Sequence, residues 1–139
     1  MTASVASVDR AARVLLLAMG ITTLGIGCAY MAQPLYWAGE SGLAITRPAA
    51  LGELRGYYAG LQIAMGVLFL AGLRSRVWAD AGLRAAAVLF AGNGLGRILG
   101  CMSAGTIDSY NWSGIGFELV FSGGAIWVLR QRQALEKES

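Results

Sequence analysis

Histidine is absent from this chain of 139 residues, and with it go the commonest ligand for haem and transition metals and the easiest general base. Charge is scarce as well, at 14 % of residues, against 56 % hydrophobic. With a mean hydropathy of +0.57, that balance lies outside the range of soluble domains and implies a membrane protein. Only two cysteines occur, Cys28 and Cys101, both in the outer third of their spans. A disulfide between them is open, but without a Cys-x-x-Cys pair they read as small packing residues and not as a redox centre. A Ser/His/Asp triad is impossible, and there is neither a phosphate-binding loop nor a pair of carboxylates spaced to hold water. No metal site and no cofactor is expected. The net charge of +3 comes from basic residues scattered at the edges of apolar segments, with no basic stripe interleaved with aromatics, which argues against nucleic acid.

What the chain does have is long apolar runs. A helix of about 20 residues crosses the roughly 30 Å hydrocarbon core, and four segments qualify: Ala11 to Gln33, Leu54 to Leu73, Ala85 to Ala104 and Trp112 to Leu129. The expected architecture is all-α, a single four-span transmembrane domain over residues 1–139 folded as a four-helix bundle. Thr46 is placed to cap the second helix, with Pro48 in its first turn. The longest connection, "PLYWAGESGLAITRPAALG", reads as non-regular, and its Tyr36 and Trp37 suit the membrane interface.

Lys and Arg accumulate in the loops on the cytoplasmic side of a membrane. Arg10, Arg13, Arg74, Arg76, Arg84, Arg130, Arg132 and Lys137 fall on one side, opposed by Arg47 and Arg55, so both termini are expected in the cytoplasm. Arg10 and Arg13 before an apolar stretch, with "GIGC" after it, resemble a signal peptide, but a membrane span is expected instead, because the apolar run is long and continues past Cys28.

Polar residues inside such spans are expensive and therefore informative. In "AGNGLGRILGCM" (91–102), Arg97 lies seven residues before the outer end of the third span; Glu118 lies at a similar depth in the fourth, roughly 10 Å below the outer surface. Helices joined by a short loop are antiparallel neighbours, so the two are expected to pair. Helical spacing adds Asn93 and Cys101 to the face of Arg97, and Asn111, Gly114 and Ser122 to that of Glu118. In the second span Glu53 and Arg55 stand about 200° apart and cannot both point inward. The face bearing Arg55, Tyr58 and Gln62 is favoured over that bearing Glu53, Gly56, Tyr57 and Gly60, because Gln62 is too deep to reach water. The first span contributes Thr23, Tyr30 and Gln33.

Gly92, Gly96 and Gly100, with Gly56 and Gly60, repeat the G-x-x-x-G spacing that lets helix backbones approach closely, within one bundle, between copies, or against a larger complex. A ligand pressed on the backbone would leave the same mark.

The run "ELRGYYAGLQIAMGVLFLAGLRSR", followed by "GRILG" and a glutamate in the last span, resembles the DoxX-like small bacterial four-helix membrane proteins, and within them a group carrying Arg-x-x-Tyr-x-Gly at the start of the second span. Arg55, Tyr58, Gly60, Gly96 and Arg97 carry the similarity, over roughly residues 50 to 122. It implies a four-helix bundle in the bacterial inner (cytoplasmic) membrane and brings no catalytic residue. Gln62 stands where an acidic residue is expected, which weakens a proton-transfer role there.

The expectation is a polar pocket in the extracytoplasmic half, lined by Arg55, Tyr58, Gln62, Asn93, Arg97 and Glu118, with Tyr30, Gln33, Glu53, Asn111 and Ser122 around it. Its ligand would be amphipathic or lipophilic: a lipid, quinone or isoprenoid. One alternative is an isomerase or cyclase with Glu118 as general acid or base, the acid role requiring Glu118 to stand apart from Arg97. The other is an accessory subunit or homo-oligomer docked through the glycine strips.

Overall fold

The computed structural model describes residues 4–138, whose regular secondary structure is helical throughout. In chain order the elements are α1 (Val5–Ala32), α2 (Pro34–Glu40), α3 (Ala50–Glu53), a π-helical turn (Leu54–Gly60), α4 (Leu61–Ala71), α5 (Arg76–Ala104) and α6 (Ser109–Glu138). Because α3, the π turn and α4 run on without a break, four helical rods are long and apolar enough to span a membrane, and the chain is a multi-pass integral membrane four-helix bundle.

Local chemistry fixes where these rods begin and end. Ser4 and Ser75 cap α1 and α5 by accepting from the backbone N–H groups of Ser7 and Trp78. Asp108 does the same for α6, accepting from the N–H of Asn111 at 2.8 Å. α5 ends where Gly105 takes a left-handed conformation, φ +67°, which costs glycine nothing. Two local expectations are corrected. The second rod starts at Ala50 after a turn in which Leu51 donates to Pro48 O, without a side-chain cap from Thr46. The connection after α1 contains a helix, α2, because Pro34 at its first position has its φ already set for one and Tyr30 Oη donates to Trp37 O at 3.2 Å.

The bundle is assembled from two tight pairs, α1 with α4 and α5 with α6, joined more thinly where α1 meets α6 and α4 meets α5. In the first pair the contact is glycine-made. A Cβ on Gly27 would sit 2.8 Å from Ala59 O, and one on Gly66 2.9 Å from Leu24 Cβ. The apolar core occupies the half nearer the chain ends, around Leu16, Met19, Phe69 and Leu83. Phe90 closes it at mid-depth, with ring centroids 5.9 Å from Phe69 and 5.5 Å from Phe117.

Below the core, Arg132 is only 7 % exposed; Nη2 donates to Asp9 at 2.8 Å and Nη1 to Asp80. This guanidinium ties the starts of α1 and α5 to the end of α6, so the two ends of the chain lie on the same side of the bundle. Beside it Arg76 pairs with Glu136 at 2.5 Å. Sequence reading took Arg132 as a topology signal and passed over its two acidic partners.

Candidate intramembrane cavity

Arg97 and Glu118 meet. The guanidinium donates to Glu118 through Nε at 3.3 Å and Nη2 at 3.1 Å, and its Nη1 donates to Asn111 Oδ1 at 3.3 Å. One turn earlier on α5, Asn93 Nδ2 donates to the same carboxylate. Glu118 is 2 % exposed, so this set of donors replaces the water it has given up. Arg97 keeps 24 % of its side chain exposed and also lies against the Tyr110 ring, 5.7 Å from its centroid.

Two glycines make room for the pair. A Cβ on Gly114 would fall 2.7 Å from Arg97 Cζ, and one on Gly94 3.3 Å from both Cβ and Oε2 of Glu118. Each helix thus has a socket opposite the charged side chain of the other. Behind Glu118, Ser122 Oγ donates to the Glu118 carbonyl at 2.7 Å and does not reach the cavity.

Where α4 and α5 diverge they leave a cavity of about 1220 Å³. Asn93, Arg97 and Cys101 stand on its α5 wall, Gln62, Leu61 and Met65 on its α4 wall, and Val88, Leu89 and Phe90 at its apolar floor. Tyr30, Tyr57, Tyr58 and Tyr110 surround the opposite end, with Ser41 and Asn111 among them and the carboxylates of Glu53 and Asp108. Tyr30 and Tyr58 stack with centroids 5.4 Å apart and planes 27° from parallel. Gln62 Oε1 is buried here without a hydrogen-bond partner. Gly92, Gly96 and Gly100 form a strip along the same wall, and a Cβ at any of them would meet nothing within 4 Å.

The residues singled out from sequence are distributed unevenly around this space. Tyr58, Gln62, Asn93, Arg97, Tyr30, Glu53 and Asn111 line it. Glu118 stands behind the wall, held by Arg97 and Asn93, and Gln33 is an exposed residue closing α1. Arg55 is exposed and off the cavity. The cause is the π turn. Its i to i+5 hydrogen bonds, such as Leu61 N–H to Gly56 O, bring residues five apart toward one side, so Glu53 and Tyr58 share the cavity instead of standing on opposite faces. An α-helical wheel could not reveal this, nor that Tyr57 joins them. Ser41, Asp108 and Tyr110 were missed because they arrive from loops and helix starts. Cys28 and Cys101 are free thiols, the first exposed and the second on the cavity wall.

The cavity is thus a wedge between two spans, polar at one end and apolar at the other, in a chain that four apolar helices place in a membrane. Residues 11–129, which take in all four spans, match a family described as a domain of unknown function, DUF4345. The chain belongs to that family. No curated protein and no solved structure matches it. Membership of DUF4345 extends over both charged partners and every residue that lines the cavity.

Proposed function

We propose that this DUF4345 protein holds an amphipathic or lipophilic molecule, such as a lipid, a quinone or an isoprenoid, in the cavity between its second and third spans. One observation carries the reading: a space large enough for such a molecule has hydrogen-bonding groups at one end, an unsatisfied buried amide oxygen at Gln62 and an apolar floor. The glycine strip supports it, since side chains there would narrow the space. The excess of Lys and Arg at the end carrying Arg74, Arg76 and Arg132 supports cytoplasmic termini, a bacterial inner-membrane location and a cavity opening to the extracytoplasmic leaflet. The likeness to DoxX-like proteins, carried by Arg55, Tyr58, Gly60, Gly96 and Arg97, supports the same location.

In this reading Asn93 and Arg97 face the ligand and Glu118 holds Arg97 in place. Glu118 as general acid or base is the weaker alternative, because Arg97 and Asn93 stand between it and the cavity. Mass spectrometry of what copurifies tests the proposal. The wild type should carry a defined lipophilic molecule that Gly96→Trp, filling open space, loses while remaining folded. Identical extracts from both would contradict it. Recovery of a stoichiometric partner protein by way of the glycine strip would instead support an accessory subunit or homo-oligomer.

A further inference from the structure

Resting on that reading, we infer that the ligand's head is an uncharged hydroxyl group, an alcohol or phenol, and not a phosphate, carboxylate or ammonium. Arg97 is the sole cation among the described residues that line the cavity, and its charge is countered by Glu118. The other charges on the lining are the carboxylates of Glu53 and Asp108. An anionic head beside Arg97 would meet the buried Glu118 carboxylate that already neutralises it, with two further carboxylates at the same end of the cavity. A cationic head attracted by the two carboxylates would meet Arg97 on the wall.

The unused hydrogen-bonding groups are mixed. A guanidinium has five N–H groups. Glu118 takes Nε and one on Nη2, and Asn111 takes one on Nη1, which leaves one on each terminal nitrogen. On the facing wall the amide of Gln62 has a buried end with no partner. An amide can present its oxygen or its nitrogen by a half-turn, and a hydroxyl, being donor and acceptor at once, answers to either. The stacked rings of Tyr30 and Tyr58 offer a flat apolar face beside it, and the floor at Val88 and Phe90 receives a hydrocarbon chain.

The test keeps one tail and changes the head. Farnesol, farnesyl diphosphate, farnesylamine and farnesylhydroquinone are titrated into the delipidated wild type, and the concentration giving half the maximal rise in Tm is read for each. The alcohol or the hydroquinone should act at about tenfold lower concentration than the diphosphate and the amine, the size of effect one or two hydrogen bonds produce. Which of the two hydroxyl compounds is tighter identifies the source. Gln62→Leu, or Gln62→Met should the first not fold, should raise the concentration needed for the alcohol and the hydroquinone several-fold and leave the diphosphate and the amine as they were. Tighter binding of the diphosphate or amine overturns the hydroxyl assignment and leaves the cavity reading standing. If no compound raises the Tm of the wild type, and Gly96→Trp keeps the wild-type lipid extract, both fall.

Discussion

At the scale of single residues the account turns on an ion pair whose partners cannot be exchanged for neutral groups one at a time. Arg97 has no neutral form available to it, so Glu118→Leu leaves a permanent charge and Asn93 without an acceptor. We expect a loss on the order of 3 kcal/mol for Glu118→Leu, and recovery of most of it when Arg97→Leu is added, measured as unfolding in detergent. The sockets can be tested independently. Gly114→Ala puts a methyl 2.7 Å from Arg97 Cζ and should cost about 1–3 kcal/mol, whereas Gly116→Ala, with nothing within 4 Å, should be close to neutral. Equal effects of the two would mean that Gly114 makes no socket for Arg97. The pair was legible in the sequence because charge is conspicuous inside an apolar run and depth follows from counting along two antiparallel helices. The sockets were not, since a glycine facing a side chain and a glycine facing a backbone read the same.

Among the elements the π turn at Leu54–Gly60 decides which side chains the second span offers. The four rods themselves were legible from hydropathy, but the assignment of faces failed at this turn, because a period of 3.6 was applied where the backbone follows another. The glycine-rich sequence "RGYYAG" around it was the available signal, for a backbone free of Cβ atoms at Gly56 and Gly60 gives way most readily. Gly56→Ala with Gly60→Ala favours α-helix over the π turn and, with the residue count unchanged, should turn Glu53 about 140° away from Tyr58 and out of the cavity. The expected result is a folded protein, with wild-type helical circular dichroism, that no longer retains its lipophilic molecule. Retention of the molecule by this variant would show that the turn is incidental to the cavity.

For the molecule as a whole, the two ends of the bundle do different work. The end nearer the termini is packed and closed by Arg132, whose partners Asp9 and Asp80 lie on two other helices. Arg132→Ala removes the shared cation of Asp9 and Asp80, both partly exposed, and should cost about 1–2 kcal/mol in unfolding, against little for the exposed Arg130→Ala. No effect of Arg132→Ala would mean that packing alone holds this end. Nothing in the sequence distinguished Arg132 from its basic neighbours, since all of them satisfied the topology rule equally and burial is a property of the assembled bundle. The other end is open between α4 and α5, and in the function proposed here its occupant is what matters. A free thiol on the cavity wall, Cys101, reports directly on that filling, provided the exposed Cys28 is first removed as Cys28→Ser. In membranes the single remaining thiol should react slowly with a small methanethiosulfonate, and at least about tenfold faster once the purified protein has been stripped of lipid, with the slow rate restored when the extracted material is added back. A rate that is the same before and after stripping would mean that nothing occupies the cavity, and would contradict the account at its centre.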